Sequence, residues 1–161
     1  MTVRYLEGDE RKKAQHWLDD AVQEALKSRC EKSKRGVIIV KNNFVLGRGC
    51  NNPPADMPCV PDVCKPVCGR YCVHAEQNAI IDALNKGFYL KDSQMYHVRM
   101  KEGVVVDSRE PCCIDCSKLV LQLGIAEFVM KTEVGMCAYG AQEFHDASLA
   151  YVLRNLVDRN S

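Results

Sequence analysis

Hydrophobic side chains recur at spacings of three and four residues between positions 10 and 31. That is the period of an amphipathic α-helix, so the pattern predicts a first helix over residues 10–31. The next apolar run, residues 37–40, is short and rich in β-branched side chains, and Asn42 and Asn43 separate it from a second run at residues 44–46. Two such runs joined by a polar pair predict a β-hairpin.

The rest of the chain alternates between helical and strand-like patterns. The predicted elements are a helix at 74–87, strands at 95–100 and 104–106, a helix at 113–124, a strand at 125–130 and a helix from 141 to about 154. This alternation is typical of an α/β fold, so we expect three layers, α/β/α, with a central mixed sheet of about five strands and helices on both faces. Because a chain of 161 residues buries one core, we expect residues 1–161 to form a single domain.

Charge and composition narrow the classes of partner. The formal net charge of +1 gives no general attraction to nucleic acid, so we expect no such partner. The basic residues near the first helix are interleaved with acidic ones, which favours a solvated helix face over the alternative, a phosphate-attracting surface. No stretch approaches the roughly eighteen consecutive apolar residues of a membrane span. Residues 1–10 lack the apolar run of a signal peptide, so the ten cysteines indicate a reducing compartment, and we expect a cytoplasmic location.

Two short motifs carry the residues suited to chemistry. They are His74-Ala75-Glu76 and Pro111-Cys112-Cys113-Ile114-Asp115-Cys116. A catalytic zinc ion takes three nitrogen or sulfur ligands from the protein and leaves a fourth position for water, which one histidine and two cysteines satisfy. Glu76 is well placed to carry protons to and from that water. The order H-x-E followed by P-C-x-x-C is the signature of the zinc-dependent nucleobase deaminases.

Two cysteines compete for the first cysteine ligand. A proline usually precedes that ligand directly, which selects Cys112, whereas the x-x spacing selects Cys113. Residues three apart share a helix face, so Cys113 and Cys116 can both point at one ion, and we favour Cys113 for that reason. The partial positive charge at the helix N-termini predicted near His74 and Cys113 would also stabilise thiolates there.

From residue 10 to about 155 the chain resembles the cytidine and deoxycytidylate deaminase superfamily, and most of all its deoxycytidylate branch. Residues 74–80 are similar to the H-A-E-x-N-A stretch of that branch, and residues 123–129 to the strand that follows its cysteines. Residues 47–53 resemble a G-x-G-x-N-x-P segment whose asparagine contacts substrate in related enzymes. The resemblance therefore implies substrate contacts at Asn51 and, within the histidine motif, at Ala75. The alternative for Asn51 is a cap in a turn, since Asn-Asn-Pro-Pro is a strong turn signal.

The resemblance implies a cytidine deaminase-like fold and zinc-dependent hydrolytic deamination of a cytosine nucleotide, dCMP to dUMP and ammonia. His74, Cys113 and Cys116 would hold the catalytic Zn²⁺, and Glu76 would pass a proton to ring N3 and then to the departing amine. It also implies a pyrimidine nucleotide or nucleoside as ligand, and a homo-oligomer in which neighbouring subunits complete the pocket. The enzyme alternatives are deaminases of a free nucleoside or nucleobase, or of tRNA adenosine, the last of which would favour a more basic surface. The non-enzyme alternative is a zinc-binding nucleotide-sensing domain, which would not need Glu76.

A loop precedes the histidine motif. Residues 49–72 contain five prolines and five cysteines, and so long a loop is uncommon in a compact domain unless it is functional or held by a metal. Cys59, Cys64, Cys68 and Cys72 could hold a second, structural Zn²⁺. The alternative is a set of reduced thiols without metal. His97 and His145 are expected to be ordinary packed or surface residues.

Overall fold

The computed structural model describes residues 3–67 and 70–160. Its helices are α1 (Gly8–Leu26), α2 (Pro61–Cys64), α3 (Ala75–Asn85), α4 (Ile114–Gln122) and α5 (Ala141–Asn160), with a 3₁₀ turn at Lys65–Val67. Its strands are β1 (Arg4–Tyr5), β2 (Lys34–Lys41), β3 (Phe44–Cys50), β4 (Gln94–Lys101), β5 (Val104–Val106), β6 (Glu127–Thr132) and β7 (Gly135–Gly140). No helix in the described parts of the chain is both long and apolar enough to cross a membrane.

The described strands form one sheet in the order β1-β7-β6-β4-β2-β3, with β5 paired to the end of β4. β4 and β6 are parallel, whereas the other pairs are antiparallel, so the sheet is mixed as predicted. The prediction of about five strands omitted β1 and β7. β1 has two residues, and in β7 four consecutive residues are buried, so neither shows the alternation that marks a half-buried strand.

The hairpin formed by β2 and β3 is confirmed. Asn42 and Asn43 have φ angles of 51° and 61°, and positive φ at both central residues is the requirement of a type I′ turn. Asparagine tolerates this conformation better than most side chains. The two strands extend beyond the predicted apolar runs, so that β3 reaches Cys50, close to the proline-rich loop.

The side chains of β2 point alternately into two layers of the core. Val37 and Ile39 belong to the cluster on the side of α3, whereas Ile38 and Val40 belong to the cluster on the side of α1. Successive strand residues point to opposite faces, so one strand supplies both layers. The first helix ends at Leu26, before the predicted position 31, and the residues that follow lead into β2.

Two glycines let α3 lie directly against β3. A Cβ atom added at Gly49 would lie 2.6 Å from the carbonyl oxygen of Ala75 and 2.8 Å from the carbonyl carbon of Asn78. Gly47 meets the backbone of Ala79 and Ala83 in the same way. Because only glycine permits so close an approach, these positions hold the first turns of α3 against the sheet.

Candidate active site

His74, Cys113 and Cys116 lie together although about forty residues of chain separate the histidine from the cysteines. The Nδ1 atom of His74 is 3.2 Å from the Sγ atom of Cys116 and 3.3 Å from that of Cys113. All three potential ligand atoms lie within 4.8 Å of one another. One imidazole and two thiols form a donor set that suits zinc, so this group can hold a metal ion.

The ends of two helices bring these residues together. His74 is the N-cap residue of α3, and its backbone N–H donates to Oε1 of Gln77 over 2.9 Å. Cys113 is the N-cap residue of α4, and its Sγ accepts the backbone N–H of Cys116 at 3.4 Å. Both N-termini direct their partial positive charge toward the site, as the sequence predicted, which favours thiolates there.

The pKa values of the two thiols in this group are shifted in opposite directions. Hydrogen bonding to Cys116 lowers the pKa of Cys113 to about 5, against the effect of burial, and His74 lowers it further. The hydrogen bond to Cys113 raises the pKa of Cys116, and burial raises it too. This hydrogen bond therefore favours the thiolate form at Cys113 and the protonated form at Cys116 in the metal-free chain.

The structure places Cys113 beside His74 and Cys116, as the x-x spacing indicated. Cys112 is exposed and is not part of the group of adjacent ligand atoms. The reason is local geometry, because an N-cap residue and the residue three positions later project from the same side of a helix start. The preceding Pro111 is buried.

Glu76 occupies the first turn of α3. It is 7% exposed. Burial raises the pKa of its carboxyl, but the charges of His97 and His74 lower it, and the net direction is downward. Among the described residues its Oε2 atom has no hydrogen-bond partner. A buried carboxylate oxygen without a donor is costly, so this atom is poised for an incoming O–H or N–H group. The nitrogen and sulfur ligands and this unpaired acceptor together fit a zinc ion that carries water.

His97 was predicted to be an ordinary packed or surface histidine, yet the structure places it beside Glu76. Its ring is 3% exposed, with Nε2 3.9 Å from Oε1 of Glu76 and 3.4 Å from Nη1 of Arg35. Burial lowers the pKa of His97 to about 4, although the charge of Glu76 opposes that shift. Arg35 can only donate, so a neutral His97 accepts at Nε2 and donates from Nδ1 to Oγ of Ser108, 3.2 Å away.

A sequence signal for His97 does exist. It stands in a strand-like run on the same face as Met95, and both residues are buried. A polar side chain on the core face of a strand is an exception that needs a partner. His145, the other spare histidine, lies on α5 with Nδ1 3.1 Å from Oγ of Ser117.

The amide of Asn51 is largely occupied within the chain. Its Oδ1 accepts from Oγ of Ser28 at 2.9 Å and from the backbone N–H of Arg35 at 2.7 Å. Its Nδ2 donates to the carbonyl oxygen of Ser33 at 2.9 Å. Asn51 thus ties the segment between α1 and β2 to the end of β3, which agrees with the capping alternative. Ala75, the other predicted substrate contact, is fully buried.

A cavity of about 280 Å³ lies between α1, the end of β3 and the start of α3. Its lining residues come from α1, the end of β3, the following loop and α3: Glu24, Arg48, Gly49, Cys50, Asn52, Pro53, Ala55, Val73 and Asn78. His74 and Glu76 are not among them, but Val73 precedes His74 directly. Asn78, one helical turn after His74, donates from Nδ2 to the carbonyl oxygen of Cys50 at 2.7 Å. A small polar molecule therefore has room next to the first turn of α3.

The predicted second zinc site is only partly visible. Cys59, Cys64 and Cys72 are half-buried thiols, and Cys68 lies outside the described residues. Within residues 3–67 and 70–160, no group of three or more potential ligands other than His74, Cys113 and Cys116 has all its atoms within 4.8 Å. The second zinc ion stays a prediction.

Comparison with known proteins agrees with the motifs. The family model for the cytidine and deoxycytidylate deaminase zinc-binding region matches residues 11–132. A deoxycytidylate deaminase of Schizosaccharomyces pombe is 26% identical over 137 residues, which cover 78% of this chain and 39% of that protein. A deoxycytidylate deaminase of Mycobacterium phage D29 is 28% identical over 138 residues, covering 74% of this chain and 94% of that protein. The match thus spans well under half of the yeast relative and nearly all of the phage one.

Solved structures share the fold. The dCMP deaminase of cyanophage S-TIM5 in complex with dCMP and dUMP has a TM-score of 0.56 and 23% identity, with 73% of this chain and 79% of that chain covered. A cytidine deaminase of Burkholderia pseudomallei has a TM-score of 0.59 and 19% identity, with 81% and 94% covered. The family model covers more than half of the chain, and the arrangement of His74, Cys113 and Cys116 agrees with it, so the chain belongs to the cytidine and deoxycytidylate deaminase family.

Proposed function

We propose that this chain catalyses the hydrolytic deamination of a cytosine nucleotide, converting dCMP and water to dUMP and ammonia. The observation that carries the proposal is the group of His74, Cys113 and Cys116, with all ligand atoms within 4.8 Å, in a chain that also buries Glu76 with one carboxylate oxygen unpartnered. The two curated relatives described above are deoxycytidylate deaminases, which favours the nucleotide over the free nucleoside.

His74, Cys113 and Cys116 would hold the zinc ion. Two thiolates and a neutral imidazole make a formally neutral site with Zn²⁺. When bound, the ion supplies Lewis acidity that brings the pKa of a coordinated water to about 7. Even without metal, one of the two cysteine ligands is readily ionised, because the pKa of Cys113 is lowered to about 5.

Glu76 is proposed as the only proton carrier. Its lowered pKa keeps the carboxylate ionised at neutral pH, so Oε2 can accept a proton as the oxygen of water bonds to C4 of the cytosine ring. The carboxylic acid then gives that proton to ring N3. A second proton passes through Glu76 from the new hydroxyl to the amino group, the C4–N bond breaks, and ammonia leaves as the C4 carbonyl forms.

Arg35, His97 and Ser108 form the polar surroundings of Glu76. His97 lies with Nε2 3.9 Å from Oε1 of Glu76, and its contacts with Arg35 and Ser108 fix the ring. We propose that these residues hold the carboxylate with Oε2 directed toward the reacting atoms.

The proposed substrate contacts are Asn51 and Ala75. An amide can make four hydrogen bonds, and Asn51 uses three of them within the described chain, so one N–H can serve a ligand. The expected homo-oligomer and cytoplasmic location stay predictions.

A substrate panel tests the proposal. Purified protein is incubated with dCMP, dCTP, cytidine, cytosine and adenosine, and ammonia release is followed. The expected result is turnover of dCMP with a kcat/KM well above that of the other four. Turnover of cytidine or cytosine instead would favour the nucleoside or nucleobase alternative, and turnover of none of the five, in protein shown to contain zinc, would favour a non-catalytic nucleotide-binding role.

A further inference from the structure

Four cysteines from two distant parts of the chain gather at the proline-rich loop. Cys30 follows α1, and Cys59, Cys64 and Cys72 belong to the loop itself. Burial and the neighbouring thiols of Cys64, Cys30 and Cys59 raise the pKa of Cys72 to about 12. All four are free thiols. This set, here called the loop cysteine cluster, differs from the predicted one because Cys30 joins it.

The backbone brings Cys30 and Cys72 to the same place. Arg29, next to Cys30, donates its backbone N–H to Oδ1 of Asn52 at 2.8 Å. Asn52 in turn forms an antiparallel bridge with Val73, next to Cys72, through hydrogen bonds of 3.1 and 2.8 Å. Three separate segments are thereby joined side by side, with a cysteine at the edge of two of them.

The side chain of Arg29 holds the segment that leads to Cys59. Its guanidinium donates to the carbonyl oxygens of Ala55 at 2.6 Å and Met57 at 3.0 Å. The carbonyl oxygen of Pro53 lies 3.5 Å from Nη2 of the same guanidinium. The hydroxyl of Tyr71 contacts the sulfur of Met57 at 3.9 Å. One arginine thus fixes the loop on the side of Cys59, two residues after Met57.

Apolar burial contributes little to the order of this loop. Met57 and Val63 are 50% and 51% exposed, and α2, which ends at Cys64, contains no buried residue. The free energy needed to order a loop rich in proline must come from elsewhere, since backbone ordering costs about 1–2 kcal/mol per residue. A metal ion bound by thiolates supplies stabilisation of this kind.

We propose that Cys30, Cys59, Cys64 and Cys72 bind a structural zinc ion. Four thiolates complete a tetrahedral shell and leave no position for water, which distinguishes this site from the one at His74. No three of the cluster's sulfur atoms lie within 4.8 Å of one another, whereas all ligand atoms of the first site do. Zinc binding would therefore draw the loop together and fix the residues before His74.

Metal analysis of the full-length chain tests this inference. Protein purified with a reducing agent and without chelator should contain about two zinc ions per chain. The double variant Cys30→Ser, Cys64→Ser should contain about one, and the control Cys112→Ser, which changes an exposed thiol outside the cluster, should keep two. Zinc-edge X-ray absorption should show more sulfur than nitrogen neighbours in wild type, and a lower sulfur share in the double variant.

A ligand-preserving variant guards against loss through misfolding. Cys64→His replaces one zinc ligand by another and should retain about two zinc ions, whereas Cys64→Ser should not. One zinc ion per wild-type chain, unchanged in the double variant, would overturn the inference. So would a disulfide between Cys64 and Cys72 in protein isolated from the cell with its thiols blocked, because the pair would then be redox-active rather than metal-binding. Both outcomes are read from the metal content and thiol state, whereas dCMP turnover by the wild-type chain tests the proposed function, so the two failures can be told apart.

Discussion

The two thiol-rich regions of this protein are built in different ways. His74 and Cys113 stand at the starts of helices that pack on the sheet, with Cys116 fully buried. The loop cysteine cluster lies on irregular segments, which contacts such as those of Arg29 and the Asn52–Val73 bridge hold in place. Regular elements anchored in a core fix a metal site before the metal arrives, as a reactive centre requires. In a loop, the bound metal ion itself supplies the free energy that orders the ligands.

The largest expected effect lies in the first of these regions. Cys113→Ser should remove the active-site zinc and with it all detectable deamination, because a serine hydroxyl is a poor replacement for a thiolate. The matched control is the neighbour Cys112→Ser, which should keep both metal and activity. Metal analysis and dCMP turnover measure the pair. If Cys112→Ser loses the metal and Cys113→Ser keeps it, the ligand assignment is wrong by one residue.

Glu76→Gln should separate chemistry from metal binding. The amide has nearly the same shape as the carboxylate but cannot carry a proton, so kcat should fall by about 10² to 10⁴ while the zinc content stays unchanged. Steady-state kinetics and metal analysis on the same preparation provide the measurement. A kcat within tenfold of wild type would show that Glu76 is not the proton carrier.

His97 should make the stability of the metal-free protein depend on pH. Its pKa in the folded chain is lowered to about 4 from 6.5, so between these values the unfolded chain binds a proton that the folded chain does not. The free energy of unfolding should therefore fall as pH decreases from 6.5 to 4, by up to about 1.4 kcal/mol per pH unit. Denaturant titrations at several pH values test this, with His97→Gln as the variant that should lack this part of the slope. Equal slopes in the two proteins would contradict a neutral, buried His97.

Gly49→Ala tests the close packing of β3 against α3, the helix that begins after His74. The added Cβ would lie 2.6 Å from the carbonyl oxygen of Ala75, so α3 must shift, and the expected loss is about 1–3 kcal/mol in the free energy of unfolding. The control is Gly103→Ala, where a Cβ meets nothing within 4 Å but φ is positive, so only the backbone cost of about 1 kcal/mol applies. A loss at Gly49 no larger than at Gly103 would mean that α3 yields easily.

The contrast between the regions also explains what the sequence could predict. Helix and strand periodicities and the spacing within the two motifs are local features, so the sequence could predict the layers of the fold and the grouping of His74, Cys113 and Cys116 near the helix starts. The contact of His97 with Glu76 and the arrival of Cys30 at the loop depend on the pairing of β2 with β4 and on the path after α1. Such contacts between distant segments leave little trace in local patterns. The sequence did not predict β7, because both faces of this strand are covered and its residues lack the alternation of apolar and polar side chains.

The smallest expected effect is a change in how the loop behaves when zinc is removed. A chelator mild enough to leave the active-site zinc in place should make Arg70 more accessible to trypsin, because local opening of a loop with little apolar burial needs only a small free energy. Cleavage at Arg70 should rise severalfold over the zinc-loaded protein, whereas sites within α1, such as Lys12 and Lys13, should be cut at an unchanged rate. Peptide mapping by mass spectrometry distinguishes the positions. The Cys30→Ser, Cys64→Ser variant should show the faster cleavage without chelator, together with a KM for dCMP raised more than kcat is lowered, since the loop leads directly to His74. A cleavage rate at Arg70 that is the same with and without zinc would mean that Arg29 and the Asn52–Val73 bridge suffice to hold this loop.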